Sequence, residues 1–195
     1  MSVLANLRRL PRWVGLQAQR FKRDAAGIAA VEFAMMAPVM IIMMVGCVET
    51  SDALTVSGRM VNISGAVADM VARCQNIETQ DLNDIMTISD ALLGRYPRWP
   101  LYIKIVDVQS DALGNMTVAW SYDKSGGHPL AAGAPYVGLP PGLISPSSSI
   151  IVATSSYKYR SPMGWYIHGY INLSHTAYNA PRGGPVQFDT TPCKF

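Results

Sequence analysis

Gly27 and Glu32 are the first residues whose types and spacing could do chemistry. Glu32 is the one ionisable group in residues 25–48, an otherwise apolar run. A carboxylate in hydrocarbon costs at least about 2.5 kcal/mol, so it calls for a partner or a role. One reading is interfacial: Glu32 lies about two turns past Lys22 and Arg23 and could sit at headgroup level. The other depends on Gly27. Hydrolysis of the Gly27–Ile28 bond would leave Ile28 with a charged amine and Glu32 as fifth residue. The amine of one subunit could then pair with Glu32 of the next, each charge offsetting the other's desolvation. A carboxylate in the first turns also complements the helix dipole.

The element that must position these residues is a membrane span. Residues 25–48 are long enough to cross a ~30 Å hydrocarbon core. Lys22 and Arg23 stop the run on one side, and Glu49 and Asp52 on the other. It is too long for a cleavable secretory signal. Pro38 sits mid-span, where it could kink the helix, and five methionines between Met35 and Met44 offer either lipid contact or adaptable packing. Net charge divides at the same place. Residues 1–27 carry six basic side chains and one acidic, while the rest carry ten basic and twelve acidic. The basic head therefore belongs in the cytoplasm and the remainder crosses the membrane. A main domain with this balance gives little support to nucleic-acid binding. Three domains follow: a basic leader over 1–27, a transmembrane helix over 28–48 and an exported domain over 49–195.

In the exported part, apolar residues from Leu54 to Val71 recur by three and four, so the helix continues to about residue 74, with breaks at Gly46 or Gly58 conceivable. A second helix runs from Thr79 or Gln80 to Leu93 before Gly94, with Thr79 as its expected cap. Alternation then marks strands over 101–109, 116–122, 149–159 and 166–178, the first two joined by a turn at 111–115. The expected fold class is α+β: a transmembrane helix continuing into a long amphipathic helix, a second helix, then an antiparallel meander of about four strands. Residues 123–148, rich in proline and glycine, form a long loop that could bind a ligand.

Other chemistry is sparse. His128, His168 and His175 do not form a metal set, because His168 and His175, seven apart on one strand, would face opposite sides. No phosphate loop, metalloprotease helix or nucleophile elbow is present. Asp81, Asp84 and Asp90 read as a solvated helix face, and Trp99, Tyr102, Trp120, Trp165 and Tyr166 mostly as core or strand-pair aromatics, a minority of which could form a contact patch for a partner. No catalytic, cofactor or metal residue is assigned, and an enzyme is not expected. Cys47 lies in the apolar run as a small hydrophobe. Cys74 and Cys193 bracket the exported domain; there they could form a disulfide, and otherwise they are two free thiols.

The string Arg23-Asp24-Ala25-Ala26-Gly27-Ile28-Ala29-Ala30-Val31-Glu32-Phe33-Ala34, followed by Ala37-Pro38, resembles the opening signature of TadE-like proteins. Type IV prepilins share the basic leader ending in glycine and the glutamate at mature position five, and the Flp-type subclass commonly follows it with Tyr or Phe, here Phe33. Tyr157-Lys158-Tyr159 and Ala180-Pro181-Arg182 look like later pieces of the same family. The resemblance implies a minor pseudopilin of the tight-adherence (Tad) system, which builds Flp pili for adhesion and biofilm formation. It implies cleavage between Gly27 and Ile28 by a prepilin peptidase, and helix pairing through Glu32 and Phe33. Its partners would be other Tad subunits and the assembly platform. Its place would be the bacterial inner membrane, single-pass, with the C-terminal domain periplasmic or at the cell surface once assembled. The alternative is an unprocessed single-pass anchor that binds an envelope ligand through the 123–148 loop.

Overall fold

Helix α1 spans Ala25–Arg73, 49 residues without a break at Gly46 or Gly58 and continuing through Pro38. The computed structural model describes residues 25–97, 100–188 and 191–193. The basic leader and Trp99, both singled out in the sequence, lie outside them. The chain divides into two compact units, Met1–Val48 and Glu49–Phe195.

The described part of the first unit is the apolar stretch of α1. It belongs to a helix long and apolar enough to cross a membrane, with a mean hydropathy of 2.2 over its most apolar window. The core helix of a soluble protein with that hydropathy would be mostly buried. This window is only 6% buried, which leaves its side chains needing an apolar solvent.

In the second unit, α1 buries Val56, Met60, Ile63, Val67 and Val71, one stripe spaced by three and four. The short strand β1 (Asn76–Ile77) leads into α2 (Thr79–Leu93). The N-cap is Glu78 rather than Thr79. The backbone N–H of Glu78 donates to Asp81 Oδ2 at 3.0 Å, which satisfies a donor that the helix leaves orphaned. Gly94 ends α2 at φ +69, and a Cβ there would lie 2.6 Å from Arg59 Nη1. Arg59 in turn donates to the Leu92 carbonyl at 3.0 Å, so glycine is needed both for the turn and for the clamp on it.

Four antiparallel strands follow: β2 (Leu101–Ser110), β3 (Met116–Asp123), β4 (Ser149–Tyr159) and β5 (Ile171–Asn179). Their order is β3-β2-β4-β5, which corrects the expected meander: β4 returns to pair with β2, not with its chain neighbour β3. The 25 residues between β3 and β4 supply the length for that crossing. A separate two-stranded parallel sheet joins β1 to β6 (Gln187–Phe188). The class is α+β, as the periodicities predict.

Alternation gives the sheet two faces. Leu101, Ile103 and Ile105 of β2, with Ile151, Ala153, Tyr157 and Tyr159 of β4, share a core with α1 and α2. Ser155 Oγ donates to the Met60 carbonyl at 2.8 Å inside that core. Val106 and Val108 point the other way, with Val118, Ile150 and Val152. Leu130, Tyr136, Leu139 and Ile144 of the long loop cover them. The 123–148 loop thus covers this face of the sheet. Val118 N–H donates to the Ala134 carbonyl and Tyr136 N–H to the Met116 carbonyl, each at 2.9 Å, which closes the β3 edge.

Candidate functional site

The sequence-predicted pair sits on the lipid-type surface of α1. Gly27 and Ile28 lie in its first turn, and Ile28 and Phe33 are each 65% exposed. Nothing would meet a Cβ built at Gly27 within 4 Å. Glu32 is exposed too, and among the described residues it joins no ion pair. Glu32 is thus a carboxylate on an apolar helix with no ion pair among the described residues, five residues from a helical glycine with open space beside it.

The other three carboxylates of α1 are committed within the second unit. Glu49 is 1% exposed. Its Oε1 accepts the N–H of Trp165 at 2.8 Å, and its Oε2 accepts those of Tyr166 and Ile167 at 3.0 Å each. Burial opposes ionisation here, but the three backbone donors and the Ser161 hydroxyl outweigh it and hold the carboxyl at about 2. Asp52, one turn on, accepts Tyr96 Oη at 2.6 Å and Arg95 Nη2 at 2.7 Å on Oδ1, and Tyr159 Oη at 2.8 Å on Oδ2. Burial raises its pKa, but these donors together bring it below the usual range. Burial and the bond to Asp52 push the Tyr159 phenol up to about 12. Asp69 pairs with Arg73 and, at 2.9 Å, with Arg182, whose own N–H donates to the Ala72 carbonyl.

Tyr159 and Arg182 belong to the two later strings, Tyr157-Lys158-Tyr159 and Ala180-Pro181-Arg182. Each string supplies one of the contacts by which the C-terminal half grips α1. Beside Asp52 a cavity of about 1390 Å³ opens. Tyr96, Tyr102, Tyr157 and Tyr170 line it, with Arg95, Lys158 and Arg160 among its cations. Its many phenol rings and surplus of positive charge suit an anionic or aromatic guest.

Residues 27–69 match the family model described as TadE-like protein. The segment is TadE-like. It begins at Gly27 and ends at Asp69, so it contains all four carboxylates of α1. No curated protein and no solved structure matches the chain. A TadE-like segment carrying one helix of spanning length fits a single-pass anchor connected with Tad pili.

The remaining candidates are placed as follows. Cys74 and Cys193 are joined in a disulfide, with Cα atoms 5.2 Å apart. Asp81, read as solvated, also accepts the Cys193 N–H at 2.8 Å, and Asp90 pairs with Lys124. His168 is not on a strand with His175: it lies in the loop before β5, its Nδ1 3.3 Å from the Tyr166 carbonyl. His128 Nδ1 lies 2.6 Å from the Ser121 carbonyl. Among the described residues no group of three His, Cys, Asp or Glu converges on a metal position.

The sequence reading took Glu49 and Asp52 only as the polar end of the span. Their partners are backbone N–H groups, phenols, the Arg95 guanidinium and the Ser161 hydroxyl, all more than 40 residues away, which leave no local signal. The one available clue was their i, i+3 spacing, which puts both on the same helix face.

Proposed function

We propose that the chain is a TadE-like minor pseudopilin that takes part in assembling Flp-type pili, and through them in adhesion and biofilm formation. Prepilin peptidase cleaves between Gly27 and Ile28. The new Ile28 amine, or that of a neighbouring pilus subunit, pairs with Glu32 in the membrane, with Phe33 packing beside it. The basic leader holds the N-terminus in the cytoplasm, and the domain from Glu49 onward works on the periplasmic side of the inner membrane. It acts through packing and partner contacts rather than catalysis.

The observation that carries this reading is Glu32 itself. Of the four carboxylates in the TadE-like segment, three have donors within the fold and Glu32 is exposed without an ion pair. A carboxylate kept in an apolar helix at a cost of roughly 2.5–3.5 kcal/mol is explained by a partner outside the described chain. The test compares wild type, Glu32→Ala and Glu32→Asp in cells for protein level, processing and piliation. The expected result is stable, processed Glu32→Ala protein with piliation lost, and partial function in Glu32→Asp. Unchanged piliation with Glu32→Ala at wild-type level sinks the ion-pair mechanism.

A second reading, an unprocessed anchored binding protein, draws on the cavity beside Asp52, to which Lys124 and Ser125 of the 123–148 loop contribute. It predicts an intact leader, and a phenotype from Tyr102→Ala or Lys158→Glu but none from Glu32→Ala.

A further inference from the structure

Residues 166–170, expected to open the last long strand, instead belong to a loop between β4 and β5 that Glu49 holds. Three consecutive backbone N–H groups, those of residues 165–167, converge on that one carboxylate. Ile167 turns into the core. Its neighbours do the opposite: Trp165 is 60% exposed, Tyr170 66%, and Met163 and Tyr166 about half. The segment 158–171 contains Lys158 and Arg160 and no acidic residue. The Arg160 guanidinium lies 5.9 Å from the centre of the Tyr170 ring.

Glu49 is one peptide bond beyond Val48, the last residue of the apolar run. Whatever angle the span makes, the loop backbone must stay within one Cα step, one glutamate side chain and one hydrogen bond of Val48. That is roughly 12 Å at the outside. The headgroup layer of each leaflet is itself about 5–8 Å thick. Trp and Tyr rings favour that layer, because their bodies are apolar and their tips hydrogen-bond. Basic residues beside them meet anionic headgroups.

We infer that this loop is an interfacial anchor, laying Trp165, Tyr166, Tyr170 and Met163 into the headgroup layer of an anionic bilayer, with Lys158 and Arg160 on the phosphates. Glu49 sets the loop's height. The inference rests on the single-span reading of the apolar run. It concerns the membrane-resident protein, before any transfer into a pilus.

The test uses the full-length chain reconstituted in phosphatidylcholine–phosphatidylglycerol vesicles. Retention through alkaline carbonate washing reads the span. Lipids carrying a nitroxide on the headgroup or near the acyl terminus then quench tryptophan emission, and subtracting a Trp165→Phe variant isolates Trp165. The expected result is a carbonate-resistant chain whose Trp165 emission is quenched at least twofold more by the headgroup nitroxide than by the deep one. Lys158→Glu/Arg160→Glu should reduce that quenching in these vesicles and leave it unchanged in pure phosphatidylcholine. A retained chain whose Trp165 is quenched by neither lipid, or more by the deep one, overturns the anchor while sparing the span. A chain lost in the wash overturns both.

Discussion

Glu49 and Asp107 are both buried acids, and their surroundings push them in opposite directions. Glu49 drops from 4.5 to about 2 because its donors outweigh burial. Asp107, on β2, rises from 3.8 to about 7, because burial dominates and only Gln109 Nε2, at 3.3 Å, opposes it. Its Oδ1 has no hydrogen-bond partner among the described residues. The signs follow from linkage. The Glu49 contribution is fully present above 4.5 and is lost as pH falls from there through about 2. The Asp107 penalty is absent below 3.8 and grows as pH rises to about 7. Glu49→Gln should therefore lower Tm at neutral pH and flatten its fall under acid. Asp107→Asn should raise stability at pH 8 by up to a few kcal/mol and change little at pH 4. Urea titrations at those pH values check both. If Asp107→Asn destabilises at both, the buried carboxyl has an unseen partner. At this scale the sequence exposed Glu32, which is anomalous for its surroundings. It hid Glu49, because a glutamate at the end of an apolar run looks like ordinary solvation.

Among the elements, α1 was legible from two patterns, an unbroken apolar run followed by residues spaced three and four. The β2–β3 hairpin was legible from alternation and from Asp111, which accepts the N–H groups of Leu113 and Asn115 at 2.8 Å. The start of β5 differs from the expectation: Tyr166-Ile167-His168 alternates like a strand, but the Tyr166 and Ile167 N–H groups go to Glu49 and Gly169 turns at φ +85. Strand order was not legible either, since β4 could pair with either edge of the hairpin; in the fold the loop's Gly133, Ala134 and Tyr136 bond to the β3 edge and β4 takes the β2 edge. The grip of α1 on the sheet can be tested directly. Ile63→Ala, at a fully buried position, should cost about 2–5 kcal/mol by urea unfolding. The Cys74–Cys193 disulfide closes a separation of 119 residues, so Cys74→Ser/Cys193→Ser should cost about 4–5 kcal/mol in the chain-entropy picture. A loss below about 1 kcal/mol would mean that the Asp81 bond to the Cys193 N–H and the β1–β6 pairing hold the C-terminus unaided.

The whole molecule divides labour between two units. The first offers an apolar helix with one unpaired carboxylate, and the second uses three carboxylates of the same helix to build an α+β domain. The TadE-like match covers the residues common to both tasks. Under the proposed function the chain is cut at Gly27, so that Glu32 acquires a charged amine partner. Intact-mass and terminal-peptide measurement of the protein from native membranes tests it most directly. The account predicts a mature chain beginning at Ile28. A chain that still carries the residues before Gly27 would contradict it, and would leave Glu32 as a carboxylate at headgroup level in a permanent anchor.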